Sequence, residues 1–440
     1  MSSSPRPAAD GRQLFPAFDA HHPPPADVIG DCVHCGFCLP TCPTYVLWGE
    51  EMDSPRGRIQ LMQQGLQGDP LTEAAVGHID ACLGCLACVS ACPSGVQYDR
   101  LIETTRAQIE RRWSRAWPQR FLRTLIFALF PYRERLRLLR GPLRLYQRSG
   151  LARLVRRSGL LARIAPRLAM MESLAPPLTR AETLPAVTPA TGVRRYRVAM
   201  IQGCVQDAFF PDVNAATARV LAAEGCEVVV PRGQGCCGAL SVHAGREEES
   251  LRFARRMIDA IDLEQYDAII INSAGCGSTL KDYGTLLADD PAYAAKAEAF
   301  AAKVRDVAEW LAGIEPVATR HPIDAVVAYH DACHLAHGQG IRSQPRELLG
   351  GIPGLQLREV AEPAICCGSA GVYNILEPEP ATELGDRKAR NVAATGADLL
   401  VAANPGCLMQ ITSALQRQGT NLPTAHTIQL LDASISGTRP

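Results

Sequence analysis

Seventeen cysteines stand in this 440-residue chain, and most of them fall into repeating patterns. Two tight runs lie near the N-terminus. Cys32, Cys35, Cys38 and Cys42 precede Pro43, and Cys82, Cys85, Cys88 and Cys92 precede Pro93. In each run three cysteines are separated by two residues and the fourth follows after three. Three thiols at that spacing can curl around three metal corners of one small cluster. The fourth, carried off by the proline, closes poorly on the same cluster. Two more sets occupy the second half: Cys204, Cys236-Cys237-Gly238 and Cys276, then Cys333, Cys366-Cys367-Gly368 and Cys407. Adjacent cysteines are poorly placed to share one small ion, but they can flank or bridge a cluster of several irons.

The N-terminal runs resemble those of bacterial two-cluster ferredoxins, where the fourth cysteine of each run ligates the other cluster. The expectation is two [4Fe–4S] clusters, one on Cys32, Cys35, Cys38 and Cys92, the other on Cys82, Cys85, Cys88 and Cys42. That crossing would staple the two halves together. Gly36 and Gly84 supply the backbone freedom such loops need and aim N–H groups at sulfur. Phe37, Leu39, Leu83 and Leu86 are expected to form a dry shell. Structural zinc is the competing reading, but zinc ribbons use separated pairs and need no third cysteine two residues on.

The elements that position these residues can be read from patterning. Residues 1–30, rich in proline, alanine and serine, read as a flexible arm. Residues 31–110 read as short helices framing cysteine loops, one of them starting with Ser54 as N-cap and Pro55 at the first helical position. Residues 111–192 form an arginine-rich helical region and a linker, with 16 arginines and one acid, Glu134, between 111 and 167. Leucines interleave the arginines, as suits docking to an anionic membrane surface or an acidic partner; a bridge between domains is the plainer alternative. Sparse aromatics and the lack of a reading motif argue against nucleic acid.

Residues 193–320 and 321–440 repeat one another. Apolar strands at 197–201, 268–271, 325–329 and 399–402 each lead toward a cysteine, with helical stretches between them. The fold class is therefore mixed: an N-terminal α-helical domain, then a duplicated α/β domain whose cysteines gather at strand C-terminal ends. Cys226, in a helix-to-strand turn, reads as structural. His330, Asp331, His334 and His337 read as polar caps around Cys333, with an extra ligand or a proton partner as the alternative.

The Cys-Cys-Gly sets resemble the cysteine-rich (CCG) domain of heterodisulfide reductase subunits and several respiratory dehydrogenases. With tandem ferredoxin runs ahead of them, and with Ser54-Pro55-Arg56-Gly57-Arg58 and His330-Asp331-Ala332-Cys333-His334-Leu335, the chain resembles the iron–sulfur subunits of bacterial glycolate oxidase. Each set lacks the fifth cysteine of the heterodisulfide reductase pattern, since Thr279 and Gln410 stand where it would fall. A further iron–sulfur cluster in a repeat, on Cys204, Cys236, Cys237 and Cys276 or on Cys333, Cys366, Cys367 and Cys407, stays open alongside a set of buried thiols.

No Gly-x-Gly-x-x-Gly follows a strand, so hydride abstraction would fall to FAD-containing partner subunits. The resemblance implies electron transfer from glycolate oxidation, with D-lactate also possible, toward a quinone-type acceptor. Relatives with similar layouts serve glycerol 3-phosphate, lactate or succinate, and a thiol/disulfide enzyme is the alternative of another class. The expected location is cytoplasmic, since the start of the chain lacks an apolar signal segment, with a peripheral position on the cytoplasmic face of the inner membrane as the alternative.

Overall fold

A computed structural model of the protein describes residues 6–7, 13–14, 16–178 and 183–439. Its backbone contacts divide into two units. The first holds the described residues up to Thr124 together with Leu240–Glu248 and Ala364–Cys366; the second holds the remainder.

Among its described residues the first unit is helical apart from loops, a two-residue antiparallel ribbon, β1 (Arg6–Pro7) with β2 (Gln13–Leu14), and an isolated bridge between Pro16 and Pro70. Its frame is the helices Pro55–Leu66, Glu73–Asp80 and Tyr98–Arg112. The first starts as the sequence predicts: Ser54 accepts from the Gly57 N–H and Pro55 occupies the first turn. Ile59, Met62, Val76, Ile79, Leu101, Ile102 and Ile109, spaced at helical period, close a single apolar core.

The expected arm differs from what is found over residues 16–30. Val28 and Ile29, in the helix Ala26–Gly30, join that core. Gln108 bonds the Asp19 main chain and the His21 carbonyl, and Arg111 reaches the Asp19 carboxylate. Prolines and alanines disguise a segment held by side chains from a distant helix. Residues 1–5, 8–12 and 15 of that arm lie outside the described residues.

The second unit contains the duplicated α/β fold. One sheet has the order β3 (Val187–Thr188), β5 (Cys226–Val229), β4 (Tyr196–Met200), β6 (Ala268–Ile271), β7 (Val304–Asp306). The other has the order β11 (Thr424–His426), β10 (Leu399–Ala402), β8 (Ala325–His330), β9 (Leu355–Glu359). Apart from β3 every pairing is parallel, and β5-β4-β6-β7 repeats as β9-β8-β10-β11. Within the predicted linker, Val187–Thr188 forms an antiparallel edge strand against Val228 and Val229, because those residues present an otherwise unpaired ladder. Residues 179–182 of that linker lie outside the described residues.

The central strands are buried on both faces, as continuous runs such as Ala268–Ile271 require. Val198, Met200, Val327, Tyr329, Val401 and Ile428 belong to one apolar core that both repeats share. Cys226 is fully buried in it, which fits its structural reading.

Candidate functional site

In the first unit the two cysteine loops have the same backbone. The residue two after the first cysteine is left-handed in both, His34 at φ 55° and Gly84 at φ 63°. So is the residue after the second cysteine, Gly36 at φ 87° and Leu86 at φ 63°. Glycine occupies one of the two positions in each loop, a different one each time. His34 and Leu86 therefore hold a conformation that costs a side-chain-bearing residue about 1–2 kcal/mol. Sequence reasoning found the two glycines and missed their strained counterparts, which only alignment of one loop on the other would reveal. The Gly84 N–H points at Cys82 Sγ from 3.3 Å, as such loops require.

The electrostatic neighbourhoods mix thiols of the two runs. Cys32 is pushed up by burial and by the nearby Cys92 and Cys35 thiols. Cys88 is pushed up by burial and by Cys85, Cys82, Cys42 and Cys38. Burial also lifts Cys38, to about 11. Clustered, desolvated thiols resist ionisation unless a cation takes the place of their protons. Cys42, Cys82 and Cys85 are buried, whereas Cys35 is exposed. The dry shell is incomplete: Leu83 is buried, but Phe37 is 67% exposed, because the loop around it faces solvent.

The five-residue signature 54–58 can be assigned part by part. Arg56 donates to the His34 carbonyl of the first loop at 2.8 Å and pairs with Glu51 at 2.6 Å. Gly57 passes so close to the Glu51 carbonyl that a Cβ there would stand 2.0 Å from its oxygen. Arg58 is 1% exposed and donates to the carbonyls of His78 and Asp53 at 2.6 and 2.7 Å. Its Nη1 also lies 3.9 Å from Cys42 Sγ. Burial opposes ionisation of Cys82, but the Arg58 and Arg106 charges outweigh it and hold that thiol below its ordinary value. Arg106 donates to the Cys82 carbonyl. Two arginines thus set the potential around the second loop, and only Arg58 belonged to a motif legible beforehand.

In the second unit, Cys204 and Cys276 follow the neighbouring strands β4 and β6, and Cys333 and Cys407 follow β8 and β10. The predicted gathering at strand C-terminal ends is met. Cys204 Sγ lies 3.6 Å from Cys236 Sγ, and the Gly238 N–H donates to Cys236 Sγ at 3.4 Å. The Cys276 thiol is raised well above its ordinary value by its contact with Cys237 and by burial. Cys407 is raised likewise by contact with Cys367, by burial, and by the charges of Cys367 and Cys333. Cys366 belongs to the first unit and the other three to the second. The glycine of the second Cys-Cys-Gly has φ 87°, and a Cβ on Gly368 would stand 2.5 Å from the Ala381 carbonyl oxygen.

The polar group around Cys333 resolves unevenly. Asp331 pairs with Arg346 through both oxygens, at 2.9 and 2.7 Å, and His337 bonds Arg342. His330 does not cap with its Nε2. That atom is buried without a hydrogen-bond partner, and His330, Cys367 and Cys407 bring their donor atoms within 4.8 Å of one another.

The arginine-rich zone forms the helices Trp117–Leu129, Arg133–Arg148, Leu151–Ser158, Leu160–Ile164 and Pro166–Ser173. Arg133 and Arg137 reach Gln202 and Asp207, and Arg140 the Ala208 carbonyl, beside Cys204. Leu138, Leu145, Leu154 and Ile164 are instead between 65% and 78% exposed. No helix among the described residues is long and apolar enough to cross a membrane.

Comparison with known proteins follows these divisions. Residues 29–96 match the 4Fe–4S dicluster domain, and residues 198–281 and 327–412 each match the cysteine-rich domain. Residues 118–175 match the linker region of the glycolate oxidase iron–sulfur subunit. The chain is 39% identical over 402 residues to the probable glycolate oxidase iron–sulfur subunit of Bacillus subtilis, covering 88% of this chain and 89% of that protein. It is 35% identical over 398 residues to the glycolate oxidase iron–sulfur subunit of Escherichia coli, covering 88% and 90%. Lactate utilization protein A of an Exiguobacterium species is 32% identical over 241 residues, 54% of this chain and 98% of that protein.

Proposed function

The chain belongs to the family of glycolate oxidase iron–sulfur subunits, and on that premise we propose that it carries electrons away from glycolate in an oxidoreductase complex with catalytic partner subunits. The observation that supports this best is the gathering of thiols from both runs in the first unit, with Cys92 near enough to act on Cys32, and Cys42 and Cys38 on Cys88. Eight thiols in two crossed sets suit two [4Fe–4S] clusters, on Cys32, Cys35, Cys38 and Cys92 and on Cys82, Cys85, Cys88 and Cys42. When bound, such clusters take up and release electrons one at a time. The chain's own part is to hold them. The left-handed loop residues shape the cradle, Gly84 aims its N–H at sulfur, and Arg58 and Arg106 favour the more negative state of the second site.

Substrate oxidation falls to partners that carry FAD, and a quinone-type acceptor receives the electrons. D-lactate is a second candidate substrate, in keeping with the likeness to lactate utilization proteins. The two repeats, 193–320 and 321–440, provide docking faces for these partners. The exposed leucines between basic residues in 138–164 favour contact with an anionic bilayer surface. The deciding experiment is iron and acid-labile sulfide per chain in anaerobically purified protein, with EPR after dithionite reduction. At least about eight irons and the broad signal of two interacting reduced cubanes support the reading. Stoichiometric zinc with almost no iron would overturn it.

A further inference from the structure

The two repeats share a strand order but not a chemistry at their cysteine ends. Three residues before Cys333 stands His330, the last residue of β8; three residues before Cys204 stands Ile201. Ile201 is fully buried among apolar neighbours in the first repeat and offers no donor atom. His330 is just as buried, at 1% exposure, yet its Nε2 meets no hydrogen-bond partner. A buried imidazole nitrogen left unpaired costs about 1–3 kcal/mol, so such an atom calls for an explanation.

The explanation lies beside it. His330, Cys367 and Cys407 are all buried, and one donor atom from each comes within 4.8 Å of the other two. Cys333, three residues after His330, does not belong to that close set. Donors around one tetrahedral ion, with metal–sulfur and metal–nitrogen distances of about 2.3 and 2.0–2.1 Å, stand roughly 3.5–3.8 Å apart. The ligands of a cubane sit on separate iron corners and stand farther from one another. Among the described residues no three thiols of the two N-terminal runs close to within 4.8 Å. The site is also prepared for a thiolate. Cys407 lies in the first turn of the 13-residue helix Pro405–Arg417, whose N-terminus carries partial positive charge. The Asn404 side-chain amide donates to Cys407 Sγ at 3.4 Å.

We propose that the second repeat binds a single tetrahedral metal ion of the zinc class, held by His330 Nε2 and the thiolates of Cys367 and Cys407, with its fourth position open to water or another small ligand. The first repeat, lacking the imidazole, does not form this site. Binding exchanges the thiol protons for the metal, and no electron moves. The ion pins the ends of β8 and β10 together and leaves iron–sulfur chemistry to other parts of the chain.

The test uses the full chain, purified anaerobically from cells supplied with both zinc and iron. Zinc K-edge X-ray absorption should show about two nitrogen or oxygen neighbours at 2.0–2.1 Å and about two sulfurs at 2.3 Å. Elemental analysis should find about one zinc per chain, lost in His330→Ala and Cys407→Ser but kept in Cys276→Ser, with iron unchanged in the His330 variant. A zinc shell of four sulfurs, iron lost in place of zinc from His330→Ala, or no bound zinc in the unmodified chain would overturn the proposal. The absorption measurement needs no variant, so a misfolded mutant cannot obscure the outcome.

Discussion

Replacing Arg58 with methionine would remove a buried charge from beside the second cysteine loop while keeping most of the side-chain volume. Arg58 Nη1 lies 3.9 Å from Cys42 Sγ. At an effective dielectric of about 20, two unit charges at that separation interact with about 4 kcal/mol. For a one-electron couple that corresponds to about 180 mV. An electron on a cluster there spreads over several atoms and stands farther off on average, so the expected fall in midpoint potential is on the order of 100 mV. Stability should fall as well. Arg58→Met leaves Asp53 without its guanidinium partner at 3.3 Å, and breaking a buried pair costs about 3–5 kcal/mol. His78 Nδ1, 2.9 Å from the same carboxylate oxygen, keeps its hydrogen bond to it and places the loss near the lower end of the range. The assay is an EPR-monitored redox titration with urea unfolding in parallel, and Arg58→Lys serves as the charge-preserving control. A variant that keeps all its iron and whose potential moves by less than about 20 mV would refute the assignment of Arg58 to this electrostatic role.

Further outcomes follow from the same geometry. Cys42→Ser and Cys92→Ser should each abolish a different EPR signal, and each should lower iron by about four atoms per chain. If Cys42→Ser erased the signal that Cys32→Ser erases, the crossed ligand sets would be wrong. Gly57→Ala should destabilise the chain by about 3 kcal/mol or more in urea unfolding, because its Cβ would collide with the Glu51 carbonyl. His34→Gly should instead stabilise the apoprotein by roughly 1 kcal/mol, by relieving a left-handed residue on the surface. Burial raises Asp306 from its ordinary value to about 7. The folded state therefore holds its proton more tightly than the unfolded chain does. The associated stability is complete below about pH 4 and is lost as pH rises through 7, with a slope of up to about 1.4 kcal/mol per unit. Unfolding of Asp306→Asn, followed from pH 4 to 8, should lack that contribution.

Much of the site was legible before any fold was known, because ligand chemistry is written in local spacing. A cluster-binding loop needs thiols a fixed short distance apart along the chain, so Cys32 to Cys42 and Cys82 to Cys92 declare themselves. The duplication was equally plain, since parallel strands buried on both faces are continuous apolar runs, and 268–271 and 399–402 appear as strands with the predicted bounds. The cap at Ser54 is a short-range hydrogen bond and was read correctly for the same reason. Tertiary structure alone decided everything that depends on partners distant in sequence. Residues 16–30 look like a loose arm until Gln108 and Arg111 tie them down. Phe37 reads as a shell residue, but its loop turns it outward. Arg106 acts on Cys82 across 24 positions, and His330 meets Cys367 and Cys407 only because β8 and β10 pair with Ala402 opposite His330. Spacing along a chain reports which atoms can share a ligand within one loop; which desolvated charges and unpaired donors end up side by side is settled when the sheets and helices pack.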